Sequence, residues 1–77
     1  MVSYNHAMLT IFMPLLDEGT ECWRPVGATP LGTQLYKVEG EVPQDETWAF
    51  LPGSIVICEI RKFQSGESGM TAIALAP

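Results

Sequence analysis

Glycine and proline interrupt this sequence so often that long helices have no room to form. Seven glycines and six prolines are spread over 77 residues, and both residue types break regular secondary structure. The pieces between them are too short for helices and suit strands. We therefore predict an all-β domain. Its five strands are expected at residues 7–15, 21–29, 34–39, 54–64 and 71–76, and residues 47–50 are expected to pair as well.

The breaks between the predicted strands contain the residue types that turns require. Residues 16–19 offer a carboxylate near the start of a turn and a glycine that can adopt positive φ. Residues 29–32 place proline second and glycine fourth, the type I pattern, and residues 51–54 place Pro-Gly at the centre, the type II pattern. Residues 65–69 form a polar loop that suits a hairpin. These turns support the division into strands.

A domain of 77 residues has difficulty burying enough surface to be stable alone. A chain this short buries only about 60% of the surface that its unfolded form exposes, and it usually needs disulfides, metals or self-association. Two cysteines can form one disulfide at most, so self-association is the supplement we favour. We predict a single domain over residues 1–77, folded as a five-stranded SH3-like barrel or β-roll, with residues 1–6 expected to fray.

The charge balance argues against two classes of partner. Four Lys and Arg residues stand against nine Asp and Glu residues, for a formal charge of −5, and this charge repels polyanions. The basic residues do not cluster, which argues against anionic membranes. The apolar run 7–16 is shorter than the roughly 20 residues of a membrane span, and no Lys or Arg precedes it as in a secretory signal. We expect a cytoplasmic protein without nucleic-acid or membrane partners.

Some predicted strands lack the alternation of polar and apolar residues that a half-buried strand shows. Apolar residues occupy both faces of the first strand and of the start of the fourth. The last strand does alternate, since Ile73 and Leu75 oppose a row of alanines, and it is expected to be one-sided. We favour a homo-oligomer that buries the extra apolar faces, although a bend with core on both sides would also explain them. The residues predicted at this interface are Met8, Phe12, Ile55 and Ile57.

Catalytic and metal-binding patterns have little support in the sequence. His6 is the single histidine, so a Cys-His or Ser-His pair and a structural zinc site are both disfavoured. Cys22 and Cys58 are expected to be small buried hydrophobic residues. The carboxylates lack the spacing of a calcium loop and are better explained as solvated. We predict no catalytic residues, no metal and no cofactor.

The aromatic residues are the remaining candidates for a functional surface. Trp23 and Arg24 are the predicted binding residues, because tryptophan and arginine are enriched at the centres of interfaces. Pro25 follows them, and a proline in a strand belongs at an edge or bulge, which would place both side chains at a rim. Trp48 and Phe50 are expected to fill the core, since a small core needs large side chains.

Two stretches resemble a group of short uncharacterised bacterial proteins. Residues 16–26 match the pattern L-D-E-G-T-x-x-W-R-P-V, and residues 48–56 match W-x-F-x-P-G-S-x-V. The resemblance covers most of the chain from Leu15 to about Glu59 and implies no activity, so no residue inherits a role from it. Proteins of this size also occur on mobile gene cassettes. The longer, more apolar N-terminal segment departs from the group.

Residues 52–55 also resemble a Pro-Gly-Ser-Val stretch of the short plasmid-borne dihydrofolate reductases, which are tetrameric β-barrels. The Gln and Tyr that follow this stretch in those enzymes are replaced by Val56, Ile57 and Cys58, which argues against that activity. The sequence thus favours a non-enzymatic binding module that acts as a homo-oligomer. The alternative is an enzyme or ligand-binding protein whose pocket lies at a subunit interface. The partners predicted for this protein are a second copy of the chain and, in addition, another protein or a small molecule.

Overall fold

The computed structural model describes residues 8–77. His6, the expected fraying of residues 1–6 and the predicted start of the first strand at Ala7 lie outside the described residues. The described chain contains five strands, which confirms the all-β prediction. No helix that could cross a membrane occurs within residues 8–77. The strands are β1 Leu9–Leu15, β2 Cys22–Gly32, β3 Leu35–Val38, β4 Ile55–Lys62 and β5 Ser68–Leu75.

The five strands form one ring-like sheet. Consecutive strands pair antiparallel along the chain, and β5 returns beside β1 in the parallel direction. This contact between β1 and β5, which we call the seam, contains a single residue pair, Phe12 with Thr71. Trp48 forms an isolated bridge to Leu15, so the predicted pairing of residues 47–50 is confirmed at this point. The ladder at the seam is thus the shortest of the five pairings in the ring.

Most of the predicted turns are present. Gly53 has φ of 91°, and the Ser54 N–H donates to the Leu51 carbonyl at 3.0 Å, as in a type II turn. Gly19 has φ of 78°, and Gly66 has φ of 93° in the hairpin loop between β4 and β5. These positive angles lie in the region that glycine adopts without strain.

The predicted type I turn at residues 29–32 is wrong. The strand β2 continues to Gly32, and the turn to β3 is made by residues 33 and 34, where Gln34 has φ of 63°. Pro30 lies opposite Tyr36 in β3, and the register shifts between Pro30 and Gly32. An irregularity of this kind accommodates a proline in a strand without ending it.

Each strand contributes at least one buried side chain to the core. The buried apolar residues are Ile11, Met13, Val26, Ala28, Val38, Trp48, Val56, Cys58 and Ala72. Phe50 packs against this cluster, so the prediction that Trp48 and Phe50 belong to the core is confirmed. Trp48, which a single bridge joins to β1, therefore also fills the interior of the ring.

Near its end, the last strand buries a small residue and exposes two large ones. Ala72 is buried, whereas 45% of Ile73 and 59% of Leu75 are exposed. Ile57 pairs with Ala74 and Cys58 with Ala72, so Ile73 has no partner in β4. The rows of side chains predicted for the last strand assume that successive residues alternate between the two faces. This register shift interrupts that alternation.

We expect Ile11→Ala to destabilise the fold by about 2–5 kcal/mol, because it removes a fully buried side chain and leaves a cavity. Ile60→Ala is the matched control, since 73% of Ile60 is exposed, and it should change stability by less than about 0.5 kcal/mol. Urea unfolding followed by circular dichroism measures both. Equal losses in the two variants would contradict the assignment of the core.

Candidate functional site

Three aromatic side chains from separate parts of the chain meet on the outer surface of the ring. The ring centroids of Phe12 and Phe63 lie 5.1 Å apart at an interplanar angle of 68°. The centroids of Trp23 and Phe63 lie 5.2 Å apart at 56°. Such edge-on and tilted contacts stabilise aromatic pairs by about 0.5–1.5 kcal/mol beyond their burial. We call Phe12, Trp23 and Phe63 the outer aromatic cluster.

Strand geometry explains how these three residues come together. Phe12 lies between the buried residues Ile11 and Met13, so its side chain points to the opposite, outer face. Trp23 in β2 pairs with Pro14 in β1. Phe63 directly follows β4, where the hairpin loop between β4 and β5 begins. The hairpin therefore carries Phe63 over the seam, where it contacts rings from both β1 and β2.

Gly69 provides the space in which the Phe12 ring lies. A Cβ atom at Gly69 would overlap the Phe12 ring and would come within 3.3 Å of Phe63. Gly69 pairs with Arg61 in β4, so the bare backbone of β5 forms the surface under the ring. The cluster depends on a glycine at this position.

Arg61 adds a positive charge to the cluster. Its guanidinium carbon lies 4.9 Å from the centroid of the Trp23 ring, which is within the range of a cation–π interaction. An Nη atom of Arg61 also lies 3.5 Å from a carboxylate oxygen of Glu21. Both side chains of this ion pair are well exposed, so the pair itself contributes little to stability. Trp23 thus contacts both the Phe63 ring and the Arg61 guanidinium.

A groove of about 750 Å³ runs along this surface, a volume within the range of small-molecule and peptide pockets. The outer aromatic cluster lines it together with Arg61, Lys62 and Glu21. A second cavity of about 380 Å³ lies next to it and shares Glu21, Trp23 and Arg61. We call the larger cavity the aromatic groove.

The aromatic groove gathers positive charge in an acidic protein. Arg61 and Lys62 are two of the four basic residues. Arg24 is paired with Glu46 elsewhere, and Lys37 lies on β3. With Glu21 also in its lining, the groove holds two basic residues and one acidic residue on a chain of formal charge −5.

Arg24 does not share a surface with Trp23. Its Nε atom lies 2.7 Å from each carboxylate oxygen of Glu46, and the same carboxylate accepts a hydrogen bond of 3.0 Å from Nε1 of the buried Trp48. Adjacent residues of a strand point to opposite faces. The structure therefore separates the two predicted binding residues and places Arg24 in a contact with the loop before β4.

The contact with Trp48 and Arg24 affects the ionisation of Glu46. A hydrogen bond from Trp48 lowers the pKa of Glu46 below its ordinary value of 4.5, and the hydrogen bond and charge of Arg24 act in the same direction. Partial desolvation opposes them. The ionised carboxylate is therefore favoured in the folded state, where it joins the loop to β2.

We expect this contact to make stability depend on pH. A carboxyl whose pKa is lower in the folded state stabilises the fold above its ordinary value of 4.5, and that contribution is lost as pH falls through the folded value. Thermal unfolding from pH 7 to 3 should show a weaker decline for Glu46→Gln than for the wild type. Glu41→Gln, an exposed change in the same loop, is the control. Identical curves for all three proteins would contradict the role of Glu46.

The four residues predicted at an interface differ in their surroundings within the chain. Phe12 is covered in part by Phe63 of the same chain. Met8 and Ile55 are exposed, and Ile57 is half-buried. Of the four, Ile55 and Ile57 share the outer face of β4.

The two cysteines are free and occupy different environments. Cys58 is buried, as expected, and burial raises its pKa to about 11, which disfavours the reactive thiolate. Cys22 is half-buried, and its Sγ lies 3.6 Å from Oγ1 of Thr20. Within residues 8–77, no group of three or more His, Cys, Asp or Glu side chains is placed to bind a metal ion.

Arg61, Phe63 and Gly69 are the site residues that sequence reasoning missed. The available signal was the position of Phe63 near the end of the predicted strand 54–64, beside the chain's one pair of adjacent basic residues, Arg61 and Lys62. Their meeting with Trp23 depends on the β1–β5 seam, which the local sequence pattern does not encode.

Comparison with known proteins does not extend the site. No family model matches the chain, and neither a curated protein nor a solved structure matches it.

We expect Gly69→Ala to disrupt the outer aromatic cluster, because the new methyl group would overlap Phe12. Overpacking of this kind costs about 1–3 kcal/mol and should weaken the near-ultraviolet circular dichroism of the aromatic rings. Gly27→Ala is the control, since its Cβ would meet the terminal methyl of the exposed and flexible Met8 at 2.7 Å. Equal stability losses in the two variants would contradict the packing of Phe12 on Gly69.

Proposed function

We propose that this protein is a small non-enzymatic binding module, folded as an SH3-like barrel, that acts as a homo-oligomer in the cytoplasm. Its ligand surface is the aromatic groove. The observation that carries the proposal is the contact of Trp23 with both the Phe63 ring and the Arg61 guanidinium. These contacts replace the pair of Trp23 and Arg24 as the binding centre.

The arrangement of the groove favours binding in two ways. Tryptophan and arginine contribute strongly to interfaces, because they combine a large apolar area with polar groups. The rings already contact one another in the free protein, so less side-chain freedom is lost when a ligand binds. A surface of this kind supports affinity without any reacting group.

The chemistry of the groove favours an apolar ligand that carries a carboxylate. The rings offer apolar contact, and the Arg61 guanidinium retains exposed N–H donors that suit a carboxylate. Lys62 adds a second positive charge at the same wall. The ligand we propose is a short segment of a partner protein with an aromatic or aliphatic side chain next to Asp or Glu.

Exposed apolar side chains support the proposed self-association. The large hydrophobic residues at the surface are Met8, Leu9, Leu16, Leu31, Leu51, Ile55, Ile60, Ile73 and Leu75. A chain of 77 residues that leaves this much apolar surface in water gains stability when a second copy covers part of it.

Selection from a displayed library of random peptides tests the proposed ligand site. We expect the immobilised protein to enrich peptides with an aromatic or aliphatic residue beside a carboxylate. Trp23→Ala and Arg61→Ala should each weaken the binding of the selected peptides by about tenfold or more. Arg24→Ala is the control, because Arg24 is next to Trp23 in the chain but points to the other face of β2. This variant should bind the peptides as the wild type does.

Two outcomes of the selection would contradict the proposed site. One is the enrichment of no peptide by a folded wild-type protein. The other is equal binding by Trp23→Ala and the wild type, with both proteins shown to be folded by circular dichroism.

A further inference from the structure

An acidic side chain, Glu21, lines the aromatic groove. Glu21 also lines the smaller cavity beside the groove, and it shares both linings with Trp23 and Arg61. Glu21 directly precedes β2 and stands two residues before Trp23, so an extended backbone directs the two side chains to the same face. A carboxylate of the protein itself therefore stands where the proposed ligand would place its own.

The Glu21 carboxylate contacts the part of Arg61 that a ligand carboxylate needs. Its Oε1 atom lies 3.5 Å from Nη2 of Arg61. A guanidinium holds a carboxylate most strongly through two parallel N–H donors. These donors belong to Nη2 together with either Nε or Nη1, so both arrangements use Nη2. Glu21 thus engages the nitrogen that the two arrangements share.

The contact between Glu21 and Arg61 is weak enough to be exchanged. The exposed fraction is 76% for the Glu21 side chain and 46% for the Arg61 side chain. The distance of 3.5 Å is long for a charge-assisted hydrogen bond, and exposed ion pairs contribute little to stability. The separate contact with the Trp23 ring, at 4.9 Å, keeps the guanidinium in the groove. A ligand can therefore displace Glu21 without disturbing the ring of strands.

We propose that Glu21 is a specificity-determining residue of the aromatic groove, because its carboxylate opposes the ligand carboxylate at Arg61. This inference rests on the proposed function, since it concerns the ligand class assigned to the same groove. A simple carboxylate gains little at Arg61, because it exchanges one charged partner of the guanidinium for another and is repelled by Glu21. Contact with the Trp23 and Phe63 rings must supply the remaining affinity. Glu21 therefore selects ligands that carry an apolar group beside the acid.

Titration of the full chain with two short peptides tests this role of Glu21. N-acetyl-Phe-Asp-amide, the Asp peptide, has an aromatic side chain beside a carboxylate. N-acetyl-Phe-Asn-amide, the Asn peptide, replaces that carboxylate with a neutral amide of similar shape. The nuclear magnetic resonance signal of the Trp23 indole N–H, followed during each titration, gives the dissociation constants.

We expect Glu21→Gln to bind the Asp peptide about threefold more tightly than the wild type does, a factor typical of exposed ion pairs. The two proteins should bind the Asn peptide equally, because that peptide has no charge for Glu21 to oppose. Acetate, which has no apolar group, should leave the Trp23 signal of the wild type unchanged at the concentrations used for the peptides.

Glu18→Gln is the matched control for the loss of one negative charge. Glu18 is exposed in the same loop before β2, but it lines neither cavity. This variant should bind the Asp peptide as the wild type does, because salt screens charges that are not in contact.

The outcomes separate this inference from the proposed function. A folded wild type and a folded Glu21→Gln that both fail to bind the Asp peptide overturn the proposed ligand, and with it the role of Glu21. If Trp23→Ala weakens the binding of the Asp peptide but Glu21→Gln leaves it unchanged, the role of Glu21 alone is overturned. An equal gain for both peptides, an equal gain in Glu18→Gln, or acetate binding as tight as that of the Asp peptide also overturns it.

Discussion

The narrow interior of a five-stranded ring is the constraint on which the rest of this structure depends. The diameter of a closed sheet grows with its number of strands, so five strands leave little internal space. The buried side chains that fill it range from the indole of Trp48 to the small side chains of Ala28 and Ala72. Other large apolar residues, such as Ile60 and Ile73, remain exposed. A ring of this size therefore leaves part of the apolar surface of the chain in water.

The outer aromatic cluster closes the ring where the backbone does not. The seam between β1 and β5 has one residue pair, and Phe63 bridges it from outside by contact with Phe12 and Trp23. Gly69 allows this contact because its backbone lies under the Phe12 ring. The same residues thus hold the seam together and line the aromatic groove, so stability and the proposed binding depend on one set of contacts.

The Arg24–Glu46 contact has a structural role that complements the groove. It fixes the loop before β4 against β2 and orients Trp48, whose indole fills the ring. That loop also covers the end of β1 through hydrogen bonds at Pro14 and Leu16. As a result this end of β1 has hydrogen-bonded neighbours on both sides, β2 and the loop.

The sequence alone determined the all-β class and the approximate positions of five strands, because glycine, proline and hydrophobic patterning act locally. It favoured a core position for Trp48, because a small core needs large side chains. Only the tertiary structure decided which residues meet across the seam. The separation of Trp23 from Arg24 follows from strand alternation, but the contact of Trp23 with Arg61 and Phe63 depends on parallel pairing between the first and last strands. Contacts between residues so distant in the chain are set by how the ring closes, and local residue patterns do not encode that closure.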